Sequence, residues 1–99
     1  MSIYDQLSRL GIVLPPVSVP AAAYVPFVQT GHLIFLSGHI AKQGGKPWVG
    51  QLGLTMTTDE GKAAARAVAV DLLGTLAAAC LAAGKDLNHV KRIVKVLSL

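Results

Sequence analysis

Ninety-nine residues hold one domain at most, and a chain of this size buries roughly 60–65% of its unfolded surface. Apolar residues make up 53% and charged residues only 14%, a balance that excludes intrinsic disorder and leaves little polar surface for a free monomer. The net charge of +4 rests on nine scattered Lys and Arg, clustered only at Lys91, Arg92 and Lys95 in an apolar run without aromatic stacking partners, so a solvated strand face is expected there and no nucleic-acid binding.

In chain order, residues 2–10 place Ile3, Leu7 and Leu10 at a 4–3 spacing that predicts a short amphipathic helix ended by Gly11. Asp5 and Arg9 interrupt this stretch, so it does not read as a secretory signal, and a cytoplasmic location is expected. Residues 12–20 contain Pro15, Pro16 and Pro20, which forbid helix and central strand alike. That segment should run extended, anchored by Ile12, Val13 and Leu14. Two β-rich runs follow, 24–29 and 32–37, separated by Thr30-Gly31 as in a hairpin. Pro26 makes the first strand irregular or an edge. Leu33-Ile34-Phe35-Leu36 is apolar without alternation, as in a strand covered on both faces. It closes on Ser37-Gly38, a small pair that lets backbone N–H groups approach a ligand.

Residues 42–53 carry Gly44, Gly45, Pro47, Gly50 and Gly53 and read as a loop with one short strand around Trp48-Val49. Gly44-Gly45-Lys46 lacks the spacing and context of a phosphate loop, so a plain turn is expected. Thr57 and Glu60 then form the two halves of a capping box. The helix is predicted over residues 58–83, with Gly84 as its left-handed stop. Residues 63–83 are apolar and long enough to cross a bilayer. Arg66 and Asp71 interrupt them, at a cost of roughly 2.5–3.5 kcal/mol each on insertion, so a buried helix and no membrane contact are expected. Asp71, if buried, needs a hydrogen-bonding partner. Cys80 is the sole cysteine; it excludes an intrachain disulfide or a cysteine metal cluster and reads as a small hydrophobe. After a polar link, residues 90–99 are predicted as a strand. The whole is an α+β domain with its helix on one sheet face.

Tyr24-Val25, the strand ending in Ser37-Gly38, the helix closed by Ala82-Ala83-Gly84 and the run Val94-Lys95-Val96 together resemble the RidA/YjgF family. Tyr4-Asp5, Leu10-Gly11-Ile12 and Leu14-Pro15 resemble a subgroup with an extra N-terminal helix. The resemblance spans nearly all of the chain and corresponds to the first two-thirds of such a domain. It implies a chorismate-mutase-like α+β homotrimer with clefts between subunits and no cofactor or metal. Its active members hydrolyse 2-imino acids to 2-keto acids and ammonia, using an arginine for the carboxylate, backbone groups near Ser-Gly and an acid that positions water. Carried across, Tyr24, Ser37 and Gly38 line the substrate cleft. The family's usual Gln at the next position is His39 here, either a proton carrier near neutral pH or a hydrogen-bonded bystander. The family's arginine and acid follow the strand at which this chain stops, and Arg92 belongs to that strand, so no catalytic residue is assigned.

Two principal functions are consistent with this reading. One is a RidA-like imine hydrolase in full-length form. The other is a non-catalytic trimeric module that binds small carboxylate or carbonyl metabolites. The family also invites a chaperone-like role, to which no residue here points.

Overall fold

Both helices begin where the sequence offers a side-chain acceptor and end where it offers a glycine. The structure, a computed structural model, describes residues 2–16 and 25–98. Helix α1, Ile3–Arg9, is capped by Ser2, whose hydroxyl accepts from Asp5 N at 3.1 Å while Ser2 N donates to the Asp5 carboxylate at 3.3 Å. Its end is a Schellman motif: Gly11 lies at φ 69, Gly11 N donates to Ser8 O and Ile12 N donates to Leu7 O. Helix α2, Thr58–Ala82, starts with the expected capping box between Thr57 and Glu60, both bonds at 3.1 Å. It ends one residue earlier than predicted, because Ala83 is the cap residue and Gly84, at φ 72, turns the chain. Lys85 N then bonds Cys80 O at 2.8 Å and Gly84 N bonds Leu81 O at 2.9 Å, satisfying two of the last carbonyls.

Four short strands form two separate antiparallel pairs. Strand β1, Phe27–Thr30, pairs with β2, Leu33–Leu36, in the register Phe27↔Leu36 to Thr30↔Leu33. The turn is Gly31-His32, one residue later than the sequence suggested. Gly31 takes φ 59 and so supplies the positive first position of a two-residue hairpin loop. Strands β3, Lys42–Gln43, and β4, Lys46–Pro47, pair across Gly44-Gly45, both at positive φ. The short strand expected at Trp48-Val49 therefore lies two residues earlier, where consecutive glycines permit the tight turn.

Helix α2 packs on β1 and β2 and on a 3₁₀ turn at Leu87–His89. The buried centre is Leu7, Cys80 and Leu87, surrounded by Ile12, Leu14, Ile34, Leu73, Leu76, Ala77 and Val90. Val13, expected as an anchor beside Ile12 and Leu14, instead points outward and is 85% exposed. Residues 17–20 of that expected extended run lie outside the described residues. Two long-range bonds dock α1: Leu87 N donates to the Tyr4 hydroxyl at 3.1 Å and Ile3 N to the Asn88 side chain at 2.8 Å.

Two expectations need correction. Residues 90–98 do not form a strand; Ile93, Val94, Val96 and Leu97 are all exposed, because no neighbouring strand is placed to pair with them. Nor is β2 covered on both faces. Phe27, Gln29, Ile34 and Leu36 share the face that holds Ile34 in the core, whereas Val28, Leu33 and Phe35 lie exposed on the other. The unbroken apolar run thus reflects one face toward α2 and one left bare. Helix α2 is long and apolar enough to cross a membrane by length and composition, and 28% of that window is buried within the domain.

Candidate functional site

The end of β2 is fixed by three hydrogen bonds that use up most of its polar groups. Ser37 N donates to Pro26 O at 2.9 Å, extending the β1–β2 ladder by one rung. The Ser37 hydroxyl donates to Val25 O. The Ser37 carbonyl meets His39 Nδ1 at 3.0 Å. Ser37 is therefore a corner post of the hairpin. Gly38, by contrast, is exposed, makes no hydrogen bond among the described residues and would meet nothing within 4 Å if it carried a β-carbon. Its backbone is the open polar surface at this end of the sheet. Tyr24, the fourth residue expected in the cleft, lies outside the described residues.

His39 ties the hairpin to the long helix. Its Nε2 lies 3.2 Å from Oγ1 of Thr75, which is 1% exposed, and the Thr75 hydroxyl donates to the Asp71 carbonyl one turn earlier at 3.2 Å. The partners dictate a proton count. A carbonyl only accepts, so Nδ1 carries hydrogen toward Ser37 O. A neutral ring then leaves Nε2 as an acceptor, and the single Thr75 hydrogen faces two acceptors, Asp71 O and His39 Nε2. Both ring nitrogens are thus engaged within the chain. His32 stands in the hairpin turn, and His89 Nδ1 pairs with Asp86 at 3.0 Å across the 3₁₀ turn. No group of three potential metal-binding side chains gathers among the described residues.

Sequence reading passed over a second feature. Val13 and Pro15 lie along the first half of α2 and, with Ala63, Ala67 and Val70, line a shallow groove of about 400 Å³ that Arg66 and Asp71 flank. Among the described residues neither charge has an ion-pair partner. The sequence showed these two only as interruptions of an apolar run. Their placement on one groove depends on the Val13–Pro15 segment crossing the helix, which spacing along α2 does not reveal. Cys80 is buried in the core, and burial first, then the Asp86 carboxylate, pushes its thiol above the ordinary range.

Among curated proteins, the chain is similar to "Protein TCP17" of Trypanosoma cruzi, 43% identical over 91 residues, which cover 91% of this chain and 54% of that protein. The chain thus spans about half the length of the curated relative it matches. No protein-family model and no solved structure matches it.

Proposed function

We propose that this chain belongs to a RidA-like, chorismate-mutase-like domain whose full-length form hydrolyses reactive 2-imino and enamino acids to 2-keto acids and ammonia. The observation that carries the reading is the end of β2: Ser37 and His39 lock it to β1 and α2, leaving the Gly38 backbone uncommitted at an exposed rim. This is the position at which the family resemblance puts substrate-orienting backbone groups, with Tyr24 alongside. The chemistry asks little of the protein. Water adds its oxygen to the imine carbon and gives up a proton, while the π pair moves to nitrogen and takes one. The hydroxyl so formed then loses its proton as its electron pair closes the C=O bond, the carbon–nitrogen bond breaks, and the nitrogen leaves with that proton as ammonia. Positioning and charge stabilisation suffice for such an electrophile. No cofactor is required. The proposed setting is a cytoplasmic homotrimer acting on small imino and keto acids, without nucleic-acid or membrane partners.

The α2 groove favours a second reading. Arg66 beside an apolar floor suits a small aliphatic carboxylate, and Asp71 on the same groove suits a cationic nitrogen. A trimeric module that holds such metabolites without turning them over uses these groups and no catalytic acid.

One experiment separates the two. 2-Iminobutanoate is generated in situ and its hydrolysis followed with this chain and with the full-length protein, while 2-ketobutanoate binding is followed by NMR. The hydrolase reading expects acceleration by the full-length protein and none by the 99-residue chain, which lacks the family's arginine and acid. Loss of a charge-assisted carboxylate contact alone removes about 1.5–3 kcal/mol. The binding reading expects no acceleration by either, with shifts that Arg66→Gln abolishes. Full activity in the 99-residue chain overturns the present assignment of the missing groups.

A further inference from the structure

We infer that Thr75 of α2 is a positioning residue that, through His39, aims the Gly38 N–H outward from the end of β2. The inference rests on the proposed reading of this rim as the place where substrate is oriented, and it names what holds the orienting group.

The relay starts from a missing donor. The β1–β2 register continues to Ser37 opposite Pro26, and Ser37 N donates to Pro26 O at 2.9 Å. In an antiparallel pair of this kind the partner residue returns a second bond, but proline has no N–H to give. The Ser37 carbonyl loses its ladder donor, and His39 Nδ1 takes that place at 3.0 Å. With its hydrogen on Nδ1, the ring offers Nε2 as an acceptor. Nε2 lies 3.2 Å from the Thr75 hydroxyl.

Burial sharpens the role of that hydroxyl. Thr75 is 1% exposed and is the one buried polar residue among the described residues. A hydroxyl taken out of water is destabilising unless it is bonded, and valine would fill much the same space without that cost. The Asp71 carbonyl, at 3.2 Å, is the other acceptor within reach. The ladder of α2 already supplies that oxygen with the N–H of Thr75 itself. His39 Nε2 has no other donor among the described residues, so the Thr75 hydrogen satisfies more there.

The peptide plane carries the effect to the rim. The Ser37 carbonyl and the Gly38 N–H belong to one planar trans peptide, so they point in opposite directions. Holding the carbonyl against His39 therefore fixes where the N–H points. Glycine resists rotation of that plane least of all residues, so position 38 gains most from the restraint. Gly38 is exposed, and its N–H makes no hydrogen bond among the described residues. It stands as a fixed donor for an oxygen of a small carboxylate substrate. The bond accepted at Ser37 O polarises the same peptide and strengthens that donor.

Residual dipolar couplings of the isotopically labelled chain read the direction of the Gly38 N–H. Thr75→Val removes the hydroxyl and Thr75→Ser keeps it. His39→Ala breaks the relay from its outer side, which decides the matter if the buried valine prevents folding. Expected is a Gly38 coupling reduced in Thr75→Val and in His39→Ala but kept in Thr75→Ser, with the couplings of α2 unchanged. In the full-length protein, kcat/KM for 2-iminobutanoate should fall roughly fivefold in Thr75→Val, the contribution of one neutral hydrogen bond, and recover in Thr75→Ser. A Gly38 coupling unchanged in a folded Thr75→Val or in His39→Ala overturns the inference, as does a change spread evenly along α2. Unaltered kcat/KM in a folded Thr75→Val overturns it as well. If the unsubstituted full-length protein does not hydrolyse the imine, the hydrolase reading fails, and the Gly38 coupling alone decides whether Thr75 aims this N–H.

Discussion

Gly74 of α2 lies directly beneath the carbonyl of Pro15, so closely that a β-carbon on Gly74 would sit 2.5 Å from that oxygen. Glycine costs about 1 kcal/mol relative to alanine inside a helix, and here the close crossing of the N-terminal segment accounts for its presence. Gly74→Ala gains helix propensity but forces backbone apart, and overpacking of this kind costs about 1–3 kcal/mol. A net loss of about 1 kcal/mol is expected in urea denaturation. A raised midpoint would show that the segment does not cross the helix here.

Thr57→Ala removes the hydroxyl that accepts from Glu60 N. A stability loss of about 1 kcal/mol is expected, with the far-ultraviolet helical signal nearly unchanged. An unaltered midpoint would put the start of α2 elsewhere.

The His39–Thr75 contact predicts energetic coupling across 36 residues of sequence. Thr75→Val keeps the shape but strands the ring nitrogen, and His39→Ala removes the ring. In a double-mutant cycle the pair should deviate from additivity by about 0.5–1 kcal/mol. Strict additivity would mean that β2 and α2 are joined only by apolar packing.

Cys80 sets a pH dependence with a defined sign. Its folded thiol is raised above the ordinary range, by burial first and the Asp86 carboxylate second. The folded chain therefore holds this proton more tightly than the unfolded chain does. The associated stability is fully present below the ordinary thiol range and is lost as pH rises through the folded value. Denaturation midpoints should fall on the alkaline side, and Cys80→Ala should flatten that fall. Alkylation should be slow in the native chain and complete after denaturation; rapid native labelling would contradict the burial.

Local signals were the legible part of this fold. The spacing of Ile3, Leu7 and Leu10, the pair Thr57 and Glu60, and the stops Gly11 and Gly84 marked both helices, because period and caps act within a few residues of their own position, whereas the Ser2–Asp5 cap was seen only in the structure. The hairpin could be read from Gly31, with its turn displaced by one residue. Contacts without a sequence period were invisible: the crossing of Pro15 over Gly74, the meeting of Arg66 and Asp71 on one groove, and the tie from His39 to Thr75. Strand content was overread at residues 90–98, since β-propensity describes fitness for a sheet surface and does not provide the neighbouring strand. Ser37 and Gly38 were named together, yet hydrogen bonding gives them opposite duties, one internal and one open.

The docking of α1 bears on how the chain acquires its structure during synthesis. Tyr4 and Ile3 bond to Leu87 and Asn88, more than eighty positions downstream. As the chain leaves the ribosome, the first helix therefore emerges without its partners and waits until α2 and the following turn have been made. A seven-residue helix is too short to persist alone in water. Its cap selects where it will form, but its formation is deferred to the closing of the longest loop in the domain. A segment made before its partners is thus among the last to be secured.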